Sequence, residues 1–206
     1  MQSIGFNEHY GLQTAVFEGR KTMTRRFEKG LENLEEGNFS FNKNKGEVKL
    51  YGEKGSVIEV IKSRYKIGEV VAVKQSYKEI ASYPYFISQC AANEQSVNDM
   101  MLEKGWNNKM FVAAYYMPHH IRITDIRVER LQDISDEDCL KEGVRKGEFY
   151  NTFDEYYVPN FQDYLTARTP KKLFEKLIDK VSGKGTWERN PYVFVYEFEL
   201  LKGGGK

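Results

Sequence analysis

Apolar residues fall along this 206-residue chain in short, punctuated blocks, with no long continuous stripe. Ser3 to Phe6 reads as a brief strand. Asn7 is then placed to cap a helix on which Leu12, Ala15 and Val16 recur at helical spacing, and Gly19 ends it. Val57 to Ile61 and Glu69 to Val73 are β-branched runs separated by Tyr65-Lys66-Ile67-Gly68, which predicts two strands joined through a turn. Asn93 to Lys104 carries Val97, Met100 and Met101 at helical spacing and stops at Gly105, and Phe111 to Tyr116 reads as a strand. In the strand that follows, Ile121 and Ile123 alternate on one phase while Ile126 and Val128 fall on the other. A bulge near Thr124-Asp125, bending the sheet toward a barrel, is the expected cause.

The second half has the clearest boundaries. Ser135 caps a short helix, Ile134 and Cys139 are spaced as a hydrophobic staple, and Gly143 closes it. Thr169-Pro170 opens a helix as N-cap and first residue, with Leu173, Phe174, Leu177, Ile178 and Val181 as its buried stripe before Gly183. Tyr192 to Leu200 is the last strand, with Phe194, Tyr196, Phe198 and Leu200 on one face and Glu197 and Glu199 on the other. Residues 28–56 read as a loop or hairpin insertion, and residues 145–168, aromatic without a period, as an irregular lid. The sum is one α+β domain over residues 1–202 built round a small curved sheet, with a disordered tail at 203–206.

Thirty-one basic against 30 acidic residues leave a formal charge of +1, which argues against a protein that coats long duplexes and makes any anion site local. Two cysteines without metal-ligand spacing and no apolar leader suit a reducing cytoplasm, and no run is long enough to span a bilayer. His119 and His120 are adjacent, so an extended backbone points them to opposite faces, and no metal or other cofactor is expected.

Against that balance the octapeptide Gly19-Arg20-Lys21-Thr22-Met23-Thr24-Arg25-Arg26 stands out. Four cations and two hydroxyls suit a phosphate or nucleotide-like ligand, with Arg20, Arg25 and Arg26 as phosphate contacts; a solvated basic turn is the plainer alternative. A threonine hydroxyl needs a base to become a nucleophile. Lys21 among other cations is suited to that task for Thr24, and Glu142, just before Gly143, is the candidate carboxylate for proton transfer. An ordinary exposed helix glutamate is the alternative there.

Together with Tyr65-Lys-Ile-Gly-Glu-Val70, the run Ile123 to Ile134 leading into Lys141-Glu-Gly-Val144, and Trp187-Glu-Arg-Asn-Pro-Tyr-Val-Phe194, the octapeptide resembles the ASCH domain family of the PUA-like superfamily. The run from Ile123 to Val144 and the segment Trp187 to Phe194 look most like its larger phage and prophage members. The resemblance implies a PUA-like small curved β-barrel with flanking helices and loop insertions near 28–56, 80–118 and 145–168, and an association with RNA. Compact members deacetylate N4-acetylcytidine with a Lys, a Thr and a Glu, which fall on Lys21, Thr24 and Glu142. The chain departs from the larger members where Tyr192 and Phe194 replace Trp, His119-His120 an Arg-Trp pair, and Gln75 a Glu.

Three functions follow as expectations. One is a module that binds RNA or a modified nucleoside or nucleotide in a basic cleft. A second is an amidohydrolase with Thr24 as nucleophile, Lys21 as base and Glu142 as proton donor. The third is a non-catalytic protein-interaction module.

Overall fold

The computed structural model describes residues 1–147, 155–158 and 165–201. Its strands are β1 (Ser3–Ile4), β2 (Met23–Arg26), β3 (Phe39–Asn42), β4 (Glu47–Tyr51), β5 (Val57–Lys62), β6 (Val70–Val73), β7 (His120–Arg130), β8 (Arg145–Gly147), β9 (Glu155–Val158), β10 (Leu165–Ala167) and β11 (Tyr192–Leu200). Its helices are α1 (Leu12–Phe17), α2 (Tyr77–Ile80), α3 (Pro84–Ala92), α4 (Val97–Met100), α5 (Asp136–Lys141), α6 (Pro170–Ser182) and α7 (Thr186–Arg189). The chain is therefore α+β. Among the described residues no sheet closes into a barrel, and no helix is long and apolar enough to cross a membrane.

Two compact units share the chain, which passes between them after Phe6, after Gly68, within β7 and within β11. In the first, residues 1–6, 69–122 and 199–206, β1 runs parallel to β6, with Ser3 opposite Ala72, and β6 is antiparallel to the start of β7, with Ala72 opposite His120. Its core gathers Ala72, Tyr77, Ile80, Phe86, Cys90, Met100, Tyr116 and Met117. Capping boxes at Ser76/Glu79 and Ser96/Asp99 start two single-turn helices.

In the second unit, residues 7–68 and 123–198, strands run in the order β7-β11-β2. Strand β2 is antiparallel to β11, with Thr24 opposite Tyr196 and Arg26 opposite Phe194. Two three-stranded antiparallel sheets join them, β3-β4-β5 and β10-β9-β8. Strand β11 is buried on both faces from Tyr192 to Tyr196, so its inward valines matter as much as its aromatics. Ile121 and Ile123 are buried, then Ile126, so the inward phase of β7 shifts across Thr124-Asp125 as its sequence predicts.

Several expectations change. Asn7 Oδ1 accepts from the Tyr10 amide and caps a turn, while α1 starts later, after Gly11 in the left-handed conformation. The predicted helix Asn93 to Lys104 shortens to α4, because Ser96 restarts the chain with its own cap. Phe111 to Tyr116 is no strand but parts of two 3-10 turns, Lys109–Phe111 and Ala114–Tyr116. The segment read as an irregular lid contains β8, β9 and β10; Phe149, Tyr150, Phe153, Phe161, Tyr164 and the 203–206 tail lie outside the described residues. Ser135 does cap α5 and Thr169 does cap α6, each side chain accepting from the amide three residues on.

Candidate functional site

Two helix ends build the site. Helix α1 closes on Gly19, whose amide donates to Val16 O while the Arg20 amide donates to Ala15 O. Helix α5 closes in the same way on Gly143, through Gly143 to Leu140 O and Val144 to Cys139 O. Both are Schellman endings, in which a left-handed glycine turns the chain sharply out of the helix. Gly143 is also closely packed. A Cβ there would lie 3.3 Å from Leu12 Cδ2 and 3.6 Å from Lys21 Cδ, so Leu12 would have to give by a few tenths of an ångström, on top of the strain at φ +106°.

The ends are joined by backbone. The Thr22 amide donates to the Lys141 carbonyl at 2.9 Å, satisfying a group that the last turn of α5 leaves without a partner. Lys21 and Glu142, the residues flanking that bond, turn inward. Lys21 Nζ donates to Glu142 Oε2 at 2.6 Å, to the Glu142 carbonyl at 2.7 Å and to the Met23 carbonyl at 2.9 Å. Their side chains are 2% and 6% exposed. Burial pulls the Lys21 amine below the usual lysine range, Glu142 opposes that pull, and Arg26 and Arg25 add to it.

Arg25 completes the arrangement in a way its sequence context did not suggest. It was expected as a phosphate contact, yet its guanidinium is 1% exposed and faces three carboxylates of its own chain. Nη1 reaches Glu142 Oε1 at 3.2 Å; Nη2 donates to Asp138 Oδ2 at 3.1 Å and to Glu129. Burial would lower its pKa, but Glu142 and Glu129 outweigh that and hold it above the ordinary arginine value. Arg127 backs the same carboxylates, through Asp138 at 2.7 Å and Glu129 at 2.9 Å, and also holds Glu197 at 2.6 Å.

The remaining expected residues divide between the faces of β2. Met23 and Arg25 share one face, with Arg25 Nη1 3.3 Å from Met23 Sδ. Alternation puts Thr24 and Arg26 on the other, the face of Phe194 and Tyr196. Thr24 is 4% exposed. That face is aromatic: Phe41 packs on Phe194, and Tyr65 on Tyr196 with ring centres 5.2 Å apart. Burial lowers the pKa of Arg26, a shift that Glu142 opposes and Arg64 adds to. Arg20 stays at the surface, paired with Glu18, which also takes Arg145.

The structure thus joins Lys21 and Glu142, adds Arg25 to them, places Thr24 and Arg26 on the opposite face of β2, and leaves Arg20 outside. Glu129, Asp138 and Arg127 were missed. The alternation Arg127-x-Glu129 on one strand face was the available signal, but only the tertiary fold supplies Arg25 as its partner. Among the described residues no cluster of His, Cys, Asp and Glu has the makings of a metal site. No family model matches the chain, and neither does a curated protein or a solved structure.

Proposed function

We propose that this chain is an amidohydrolase acting on the acylated exocyclic amine of a nucleoside, with N4-acetylcytidine as the type substrate. Thr24 is the nucleophile, Lys21 its base and Glu142 the proton donor. The observation that carries the reading is the buried contact of Lys21 Nζ with Glu142 Oε2 at 2.6 Å. Burial disfavours a charged amine, and passing one proton from Nζ to Oε2 turns the ion pair into a neutral amine and a neutral acid. The amine then takes the Thr24 hydroxyl proton as Oγ1 bonds to the acyl carbon. The acid protonates the nitrogen that leaves as the C–N bond breaks.

That half-reaction leaves ammonium and carboxylate. In the second half, water attacks the acyl carbon of the Thr24 ester and gives one proton to Glu142; the bond from that carbon to Oγ1 breaks, the acyl group leaves as its carboxylic acid, and Lys21 returns a proton to Oγ1, restoring the neutral pair. Strand β2 is the outer strand of its sheet, and Lys21 Nζ lies against its Met23 carbonyl, one residue from Thr24. A PUA-like barrel belongs to the same proposal and draws support from the phase shift in β7 and the antiparallel sheets.

The test is release of cytidine from N4-acetylcytidine, followed by chromatography. Thr24→Ala and Lys21→Ala are each expected to lower turnover by roughly 10³-fold, in line with loss of a nucleophile or a general base. Absence of turnover in the wild type, or unchanged turnover in either variant, overturns the reading. A second reading, capture of RNA or a nucleotide without turnover, is favoured by Arg26 beside the rings of Tyr65 and Tyr196. It expects salt-dependent RNA binding that weakens in Arg26→Ala.

A further inference from the structure

We propose that Arg25 is a positioning residue for the Glu142 carboxylate: it clamps one oxygen so that the other stays aimed at Lys21. Glu142 Oε1 faces Arg25 Nη1 at 3.2 Å, and Oε2 faces Lys21 Nζ at 2.6 Å. The two cations therefore divide the carboxylate between them, one oxygen each. Its other terminal nitrogen is held by Glu129 and Asp138, so the guanidinium is fixed on both sides of the bond it makes to Glu142. The fork is fixed from behind by Arg127 acting through the same two carboxylates.

The chemistry makes the division useful. A guanidinium stays protonated at any working pH, so Oε1 has a constant partner. Proton exchange is thereby confined to Oε2, the oxygen that meets the Lys21 amine. A carboxylate free to rotate would present either oxygen at varying angles, and misplacement of a catalytic group by about 1 Å costs about 10²-fold in rate. Lysine at position 25 keeps the charge and loses the planar fork, which separates geometry from electrostatics.

The proposal rests on the catalytic reading above, and its test has one arm that does not. In Arg25→Lys, kcat on N4-acetylcytidine is expected to fall about 10- to 100-fold with KM within about two-fold, measured per folded molecule. Glu129→Gln and Asp138→Asn, which loosen Arg25 from behind, are expected to move kcat the same way by a smaller factor. The independent arm is a side-chain nitrogen NMR titration of Lys21. Glu142 holds the Lys21 proton on, so a loosened carboxylate is expected to lower the Lys21 midpoint in Arg25→Lys by about one pH unit. The same shift is expected in Glu142→Gln, and the double variant should shift no further. A Lys21 midpoint that Arg25→Lys leaves unmoved, or a kcat within two-fold of wild type, overturns the proposal. If the wild type shows no turnover, the catalytic reading falls and the titration alone decides the role of Arg25.

Discussion

The two units bury different kinds of material. In the first, Phe86, Ile80 and Met117 are fully enclosed, and the two tyrosines among them turn their hydroxyls to partners, Tyr77 Oη accepting from the Ala113 amide at 2.9 Å and Tyr116 donating to Gln95. In the second, Lys21, Arg25 and Glu142 are enclosed almost as completely. An apolar core holds no charge to be stranded, so deleting one side chain costs its contacts and the cavity it leaves. A buried ionic group has already lost its water, and each member is tolerable only while the others remain. Reading such a core as a set of separate stabilising bonds would misjudge it. The members stabilise one another against the cost of being there at all.

The largest expected effect breaks that mutual dependence. Glu142→Ala leaves Lys21 buried and should cost about 3–5 kcal/mol in urea unfolding. Adding Lys21→Met should recover part of the loss, because the orphaned charge goes with it. In the first unit Phe86→Ala is expected to cost about 3 kcal/mol from the cavity, and pairing it with Ile80→Val should bring no recovery. If the Lys21/Glu142 cycle proved additive, the contrast between the two cores would collapse.

Much of this scaffold was legible beforehand, and the reasons are local. Thr169-Pro170 and Ser135 announce helices because their side chains meet amides three residues on, within one turn. Gly19 and Gly143 mark the two endings that frame the site, since left-handed positions favour glycine. Local context offers Glu142 as a carboxylate just before Gly143 and the family resemblance joins it to Lys21, but they are 121 residues apart and no periodicity connects them. Arg25 reads as a phosphate contact for a related reason. A cation in a basic run reads as solvated or ligand-facing until the fold brings Glu129, Asp138 and Glu142 around it. Phe111 to Tyr116 looked like a strand because alternation and short 3-10 turns cannot be told apart over six residues.

A smaller effect sharpens the comparison through pH. Burial lowers the Lys21 pKa below its unfolded value of 10.5, so between the folded value and 10.5 the unfolded chain binds more protons than the folded one. Stability from this group is therefore complete above pH 10.5 and is lost as pH falls through the folded pKa. The slope is at most about 1.4 kcal/mol per pH unit for one proton. His119 in the first unit is also lowered by burial, with His120 adding to the shift, so its window lies below pH 6.5. Unfolding free energies measured from pH 5 to 10 should show two separate rises, the upper one missing in Lys21→Met. A single rise at the lower end would mean that Lys21 keeps its proton in the folded state at the ordinary lysine pH.

The smallest effect concerns an ion pair outside both cores. Arg122 and Glu199 lie 2.9 Å apart, but their side chains are 47% and 53% exposed. Water already solvates both charges, so neither depends on the other for its place. Arg122→Ala should change stability by no more than about 0.5 kcal/mol, and 0.5 M salt should erase the difference. The distance is shorter than the 3.2 Å between Arg25 and Glu142, so geometry alone would rank the surface pair higher. Exposure reverses that order, because the energy of an ion pair is set by what its members would otherwise touch. A loss in Arg122→Ala comparable to that in Glu142→Ala would show that distance, and not desolvation, governs the charged contacts of this protein.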